Sequence, residues 1–434
     1  MTTPQSDRNL VLVTVDSLRA DHCGFLNDDS GLTPNIDSLA RNGLKFEQAI
    51  APGPRTPSSV PVFFTGEFMT DDPEWTMTDW QGRQTRIGEH MLRFGHLSER
   101  FQRRGYDTAA ITANPWTTRE TNFDDGFDKF YEISADSDDI SSRMLSDSTL
   151  FKTADAGFEA LPTDPVGWSK KKEWFAQWPG YFELIADQLD KLTEPFFLWI
   201  FILDTHQPYI TPCQYREDAA AWEMYYSILR YWRYESDDKN VPDHAFDMIK
   251  GTYRDAMRSV DAFTGRLRET VEPYDPVTVF SSDHGEAHGE HGNFGHEQTL
   301  YEENLRTPFI VHNAAVSGTV TDQFPLRALS DLLVDATDKK STFDPTAHTQ
   351  PFVVSKTENN EKAAVRTPGW KFISDGETTR LFNLHGDPGE TTDVSDEHAD
   401  VTESLSDVLA RHQATQAEKE RASTAIDAVV GEGL

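Results

Sequence analysis

The chain predicts an α/β fold built on parallel strands, with a small α+β unit appended at its carboxyl-terminal end. Three observations carry this. The runs Asn9-Leu10-Val11-Leu12-Val13-Thr14-Val15, Phe196 to Leu203 and Val277-Thr278-Val279-Phe280 are near-continuous apolar segments of strand length, the composition of strands buried on both faces. Each run breaks into residues that can bind a metal or an anion: Asp16, then His206, then Asp283 and His284. Open α/β sheets bind ligands outside the carboxyl ends of their strands. Beyond Val311 the composition turns polar, and short β-type runs alternate with turn residues.

The whole chain sets bounds. With 434 residues, 37% of them hydrophobic and including 10 Trp and 27 Phe, it can build one large α/β domain and a smaller one. We divide it into 1–320 and 321–434, with 133–195 and 215–245 as insertions. There are 73 acids against 40 bases, a formal net charge of −33. Such a surface repels nucleic acid and anionic membranes. An ordinary acidic protein would fit; so would a cytoplasmic protein of a halophilic organism, where screening lengths of roughly 3 Å at 1 M salt reduce self-repulsion. Cys23 and Cys213 make no disulfide framework, which fits a reducing compartment. Residues 1–8 lack the apolar stretch of a secretory signal, and Phe196 to Leu203 is too short to span a bilayer. No membrane insertion is expected; the oligomeric state is left open.

In chain order, the strand ending at Val15 runs into Asp16-Ser17-Leu18-Arg19-Ala20-Asp21. Thr33-Pro34 opens a helix with Thr as N-cap and Pro at the first position, Ile36, Leu39 and Ala40 as its apolar face, and Gly43 closing it. Leu44 to Ile50 reads as a strand. A Pro-rich loop, Ala51 to Pro61, carries Arg55 and Thr56. If a helix starts at Pro57, its free N–H groups favour an anion beside Thr56; the alternative is that Thr56 only caps that helix. Residues 87–105 carry a helical pattern, and Thr108 to Ala113 is a strand ending at Asn114-Pro115-Trp116. Residues 133–195 are acidic and weakly patterned. Residues 215–245 are rich in Trp and Tyr and read as a helical lid or as plain helix packing. Phe246 to Leu267 is an amphipathic helix. Leu326 to Leu333 suggests a helix, and Val353-Val354, Ala363 to Val365, Trp370 to Ile373 and Leu381 to Asn383 are short strands. A last helix runs from about Val401 to His412.

The stretch from Phe280 to His296 is the densest in chemistry. It holds Asp283, Glu286, Glu290 and the histidines 284, 288, 291 and 296, interleaved with glycine. A carboxylate oxygen beside an imidazole nitrogen suits a divalent ion such as Mn or Zn. A polar surface loop with scattered histidines is the plainer reading.

Taken together, these segments resemble the sulfatase family of the alkaline-phosphatase superfamily. The matching pieces are Asn9 to Asp21, Thr33-Pro34-Asn35-Ile36-Asp37, Thr56 to Gly66, Gly126-Phe127-Asp128, Asp204-Thr205-His206-Gln207-Pro208, Ser282-Asp283-His284-Gly285-Glu286, Gly289-Glu290-His291-Gly292, Leu300-Tyr301-Glu302-Glu303 and Arg306-Thr307-Pro308. Val365-Arg366-Thr367-Pro368, Lys371-Phe372-Ile373, Leu381-Phe382-Asn383-Leu384 and Asp387-Pro388-Gly389-Glu390 follow in the smaller unit. The resemblance implies a large, mostly parallel, alkaline-phosphatase-like sheet between helices, with one divalent ion (Mn, Zn, Ca or Mg) at its carboxyl edge. Asp16, Asp283 and His284 fall on metal-ligand positions, His206 on a substrate-binding or proton-donating position, and His296 on a position that contacts the leaving group or anion.

Departures from the family pattern matter as much. Thr56 stands where sulfatases carry the Cys or Ser that becomes formylglycine, so no formylglycine is expected. Ser17 replaces a second acid, Val60 replaces the motif arginine with Arg55 adjacent, and Asn114-Pro115-Trp116 replaces a Lys- and His-bearing motif. A Thr nucleophile of this kind resembles the phosphoethanolamine and phosphoglycerol transferase branch, and Asp16 with Asp283-His284 resembles the phosphonate and phosphodiester hydrolases. The expectation is a metal-dependent hydrolase of phosphate or sulfate esters, phosphoesters preferred, acting on a small anionic ester or glycan. Thr56, His206 and His296 are its catalytic candidates, Thr56 joins the metal ligands, and Arg55, Asn114 and Arg19 contact substrate. The alternatives are phospho-group transfer to a glycan or lipid precursor, and a silent relative that binds an anionic glycan. In the physical account, a metal lowers the pKa of the Thr hydroxyl, and His206 or His296 protonates the leaving oxygen.

Overall fold

Strand β1 (Leu10–Val15) sits in the middle of the main sheet and is buried along its full length. Its side chains alternate between two separate cores: Leu10 and Leu12 on one face, Val11, Val13 and Val15 on the other. That two-sided burial is why the run is apolar without alternation. The computed structural model describes residues 7–27, 30–70, 80–133, 176–235, 241–339 and 342–431. In chain order the strands are β2 (Leu44–Ile50), β3 (Asp107–Thr112), β4 (Lys129–Glu132), β5 (Phe196–Ile202), β6 (Val277–Ser282), the short pair β7 (Ala287–His288) and β8 (Phe294–Gly295), β9 (Arg306–His312), β10 (Gly318–Val320) and β11 (Phe324–Pro325). The smaller sheet holds β12 (Val353–Lys356), β13 (Ala363–Arg366), β14 (Trp370–Ser374) and β15 (Thr379–Asn383).

The large sheet runs β10-β2-β9-β6-β1-β5-β3-β4, with β11 also on β2. Pairs β1–β5, β1–β6, β3–β5 and β3–β4 are parallel. Strand β9 is antiparallel to both β6 and β2, so β2 again points the same way as β1. The sheet is therefore mixed but mostly parallel, as expected for the class. Val15 lies opposite Ile202 on one side and Ser282 on the other, so Asp16 and Asp283 leave neighbouring strands at the same level. In β5, Phe197, Trp199 and Phe201 enter one core while Phe196, Leu198, Ile200 and Ile202 enter the other. Full burial of such side chains is worth ~1.5–3 kcal/mol each relative to exposure.

Helix α1 (Pro34–Asn42) buries Ile36, Leu39 and Ala40 as expected. Its end groups are satisfied differently. Thr33 Oγ1 accepts from Gly24 N at 2.8 Å, and Asp261, from a distant helix, accepts from the Asn35 and Ile36 N–H groups at 2.8 and 3.0 Å. Gly43 is extended and not left-handed; a Cβ there would lie 2.8 Å from the Val311 carbonyl oxygen, so close backbone approach is its reason. Helix α2 (Thr56–Thr65) begins one residue earlier than Pro57, with Arg55 at the N-cap position. The expected helix over 87–105 is two helices, Trp80–Arg93 and Leu97–Arg103. They divide where Glu99 accepts from the His96 backbone N–H at 3.2 Å, which starts a new helix. The helix expected over Phe246 to Leu267 extends over Asp243–Val271. Across 215–245, the helix Ala221–Glu235 sinks Met224, Ile228, Tyr231 and Tyr234 into the core against it, and leaves Trp222 exposed. Of the segment 133–195, residues 134–175 lie outside the described residues; Phe182–Leu189 is helical.

The four short strands form one antiparallel sheet, β12-β13-β14-β15. It is tied to the loop before α2: Ser355 Oγ donates to the Ala51 carbonyl at 2.7 Å and Lys356 N to that of Pro52 at 2.8 Å. The last helix is Ala399–Gly431, longer than expected. Among the described residues, no helix is long and apolar enough to cross a membrane.

Candidate active site

Four chain segments deliver five side chains to the carboxyl edge of β1, and each follows a strand that points the same way. Asp16 follows β1, Thr56 lies beyond β2 at the start of α2, Asn114 follows β3, and Asp283 and His284 follow β6. All five side chains are buried, and Asp283 and His284 have no exposed surface. Thr56 Oγ1 is at their focus. It lies 2.8 Å from Asp283 Oδ2, 3.4 Å from Asp16 Oδ2 and 3.3 Å from His284 Nε2. Asn114 Nδ2 donates to Asp16 Oδ2 at 2.6 Å and reaches Thr56 Oγ1 at 3.4 Å.

The surroundings hold these groups in place. Ser17, at φ 60°, donates its hydroxyl to Asp16 Oδ1 at 2.8 Å and its N–H to Asp283 Oδ1 at 3.2 Å. Thr205 Oγ1 donates to the Asp16 carbonyl, and Ser59 Oγ to that of Asp283, both at 2.6 Å. His284 Nδ1 is 2.8 Å from the Gly285 carbonyl oxygen, which can only accept. The proton is thus on Nδ1, and the Nε2 lone pair faces Asp16, Asp283 and Thr56. Gly285 has no alternative residue: a Cβ there would lie 2.0 Å from the Glu303 carbonyl oxygen.

The electrostatics of the group favour added positive charge. Burial, and then the neighbouring Asp16, push the Asp283 carboxyl well above its ordinary range. Burial lowers His284 to about 4, keeping its imidazole neutral. One atom from each of Asp16, Asp283 and His284 lies within 4.8 Å of the others. Two hard oxygens and a bare imidazole nitrogen fit a divalent ion.

The remaining expected residues are placed as follows. The His206 and His296 rings are 4.9 Å apart, and His296 is 5.3 Å from His284, so both stand beside the Asp16–Thr56–His284 group. His206 Nδ1 is bound to the Gln207 carbonyl. His296 Nδ1 is 3.1 Å from Glu286 Oε1, and burial, with His206, Arg55 and His284 nearby, pushes this imidazole well below its ordinary value. Arg55 adjoins Thr56, 4.0 Å from Glu358. Arg19 is held by Asp21 at 2.7 Å, Glu290 at 2.9 Å and the Glu286 carbonyl at 3.0 Å, with its side chain 5% exposed.

Three residues escaped the sequence reading. Glu286 is fully buried, and burial and then Asp16 raise its carboxyl well above the usual range; its place after Asp-His-Gly was the available signal. Arg83 and Glu358 form a bidentate pair beside Arg55. Nothing in their local sequence marks them, because one comes from a helix and the other from the smaller sheet.

The family model described as Sulfatase matches residues 8–331. This chain belongs to the sulfatase family. As a sulfatase-family ester hydrolase it is 22% identical over 342 residues to an arylsulfatase of Clostridium perfringens, covering 70% of this chain and 68% of that protein. Its fold superposes on the phosphonate monoester hydrolase of Agrobacterium radiobacter with a TM-score of 0.66 at 16% identity, covering 94% and 96% of the two chains. A protein solved in complex with its substrate D-glucosamine-2-N,6-O-disulfate superposes with a TM-score of 0.65 at 15% identity, covering 95% and 99%.

Proposed function

We propose that this sulfatase-family member hydrolyses a small anionic phosphate or sulfate ester, phosphoesters preferred, with Thr56 as nucleophile. The observation that carries this is the placement of Thr56 Oγ1 within 3.4 Å of Asp16, Asp283 and His284 at once. Asp16, Asp283, His284 and the Thr56 hydroxyl would hold a divalent ion, which when bound lowers the pKa of a hydroxyl and neutralises charge on the ester's oxygens.

The chain's own residues do the rest. Thr56 Oγ1 already points its proton at Asp283 Oδ2. As Oγ1 bonds to phosphorus or sulfur, that proton passes to the carboxylate, and the bond to the leaving oxygen breaks in line. His206 gives the leaving oxygen its proton, and His296, which burial keeps neutral, contacts that oxygen. Water then cleaves the phospho- or sulfo-threonine, releasing the anion and restoring the hydroxyl. Asn114 Nδ2, between Asp16 and Thr56, keeps the nucleophile aligned.

The test is a panel of aryl phosphate monoesters, diesters and sulfates with Mn, Zn, Mg and Ca. Thr56→Ala should lose most turnover, toward the ~10⁶-fold that removing a nucleophile can cost, while keeping its fold. Thr56→Ser should keep some. Intact-mass analysis of quenched enzyme should show a phosphoryl- or sulfuryl-sized adduct on the Thr56 peptide. An Ala variant with near-normal turnover removes the nucleophile role; if Thr56 served only the helix end, its loss would cost ~1 kcal/mol of stability and little activity. The net charge of −33 supports the cytoplasm of a halophilic organism as the setting.

A further inference from the structure

We infer that His291, Glu303 and Glu390 form a second divalent-cation site, of a chemistry suited to Zn, which clasps the smaller sheet to the segment carrying His284 and His296. It is separate from the strand-end group and independent of the role given to Thr56. Three segments that match the family pattern meet here and take no part in the chemistry at Thr56: Gly289-Glu290-His291-Gly292, Leu300-Tyr301-Glu302-Glu303 and Asp387-Pro388-Gly389-Glu390. The first lies between β7 and β8, the second enters the short helix Glu302–Leu305, and the third follows β15. One donor atom from each of His291, Glu303 and Glu390 lies within 4.8 Å of the other two.

The Glu303 carboxyl is what points to a ligand. Its side chain is 8% exposed, and its Oε1 has no hydrogen-bond partner among the described residues. This oxygen stands 3.8 Å from His291 Nε2, too far for a hydrogen bond. The nearby cations are already engaged. Arg366 holds Glu302, and Lys371 Nζ lies 3.1 Å from both Glu302 and Glu390, so three acids share two cationic side chains. Burial raises the Glu303 and Glu390 carboxyls to about 7 each, and burial with Lys371 lowers His291, which keeps its imidazole neutral. Two of the donors are oriented in advance: the His291 ring stacks 3.6 Å from Tyr301, and Glu390 Oε2 accepts from the Glu302 N–H at 2.6 Å. One imidazole and two carboxylates suit Zn, whose tetrahedral bonds of about 2 Å set donors about 3.3 Å apart. The three need close by no more than about 1.5 Å to reach that spacing. The His291 side chain, 15% exposed, gives the ion its way in.

The test counts ions and needs no turnover. Protein stripped by chelator, supplied with Zn in 1 M KCl and desalted is read by elemental analysis; the salt weakens loose binding to the acidic surface. Asp283→Ala, which removes the strand-end site, should still hold one Zn per chain. Adding Glu303→Gln should remove that ion with an unchanged circular dichroism spectrum. Adding Glu377→Gln instead, at an exposed acid of the smaller sheet, should leave it in place. Should the Glu303 variant misfold, Co(II) decides: bound to Asp283→Ala it should absorb in the visible, and adding His291→Ala should shift or remove the band. An Asp283→Ala protein that holds no Zn, a count unchanged by Glu303→Gln, or a Co(II) spectrum indifferent to His291 overturns the site.

Discussion

Two buried acidic clusters in this protein have opposite characters. At the strand ends, Asp283 is bonded by Thr56, Ser17 and His284 and faces a second carboxylate, Asp16. At the junction with the smaller sheet, Glu302 receives two 2.9 Å bonds from Arg366, and Lys371 Nζ lies 3.1 Å from both Glu302 and Glu390. Glu390 and Asp283 are both buried, and the Glu302 side chain is 16% exposed. The outcome differs because of the partners. Despite burial, the Lys371 and Arg366 charges hold Glu302 well below its ordinary range, whereas burial and Asp16 hold Asp283 well above its own. Buried acids neutralised by cationic side chains fasten the fold; buried acids that face each other await a cation from outside.

The sharpest break is at Asp283. Asp283→Ala should abolish metal uptake at the strand ends, read by elemental analysis, and reduce turnover by ~10³-fold or more. Its metal-free form should melt no lower than metal-free wild type, since a charge conflict is relieved. Full metal occupancy in the variant would contradict the assignment. At the junction the sign reverses. Lys371→Met strands Glu390, while Arg366 still holds Glu302, and should cost ~3–5 kcal/mol by denaturant titration; a loss below ~1 kcal/mol would mean the junction is not a fastening.

A third buried acid tests the same contrast through pH. Among the described residues, Asp204 is bonded to neutral groups, Trp178 N–H and Ser259 Oγ, each at 3.3 Å, and burial raises it to about 7. Because the native carboxyl keeps its proton where the unfolded one has lost it, stability declines as pH rises from ~4 toward 7. Asp204→Asn should therefore match wild type near pH 4 and melt higher at pH 8, by an amount worth ~1–3 kcal/mol. Equal melting temperatures at pH 8 would refute this. The smallest effect is global: with a net charge of −33, the melting temperature should climb gradually from low to molar KCl, and a flat or falling curve counts against the halophile setting.

The sequence was legible where one physical demand acted locally. Burial on both faces made β1, β5 and β6 readable, and the Asp and His just past them marked the group that could hold a metal. The direction of β9 was not legible, because an apolar run looks the same in parallel and antiparallel pairing. Nor was the division of 87–105, where Leu92 completes the helical pattern yet lies 67% exposed. Thr56 was found through the resemblance; its loop alone also fitted a plain helix cap. Arg83 and Glu358 are 275 positions apart, and only packing of the smaller sheet against the loop before α2 brings them together.

The Arg55–Glu358–Arg83 cluster beside Thr56 has a consequence for encounter kinetics. An anionic substrate approaching a chain of net charge −33 meets long-range repulsion, whereas the pull of Arg55 and Arg83 acts over a few ångströms. Salt removes the first well before the second, as the screening length falls from ~10 Å at 0.1 M to ~3 Å at 1 M. The association rate should therefore rise with ionic strength, the reverse of an enzyme that steers its substrate by opposite charge. Dilution into a low-salt assay would then slow capture even while the pocket itself stays intact.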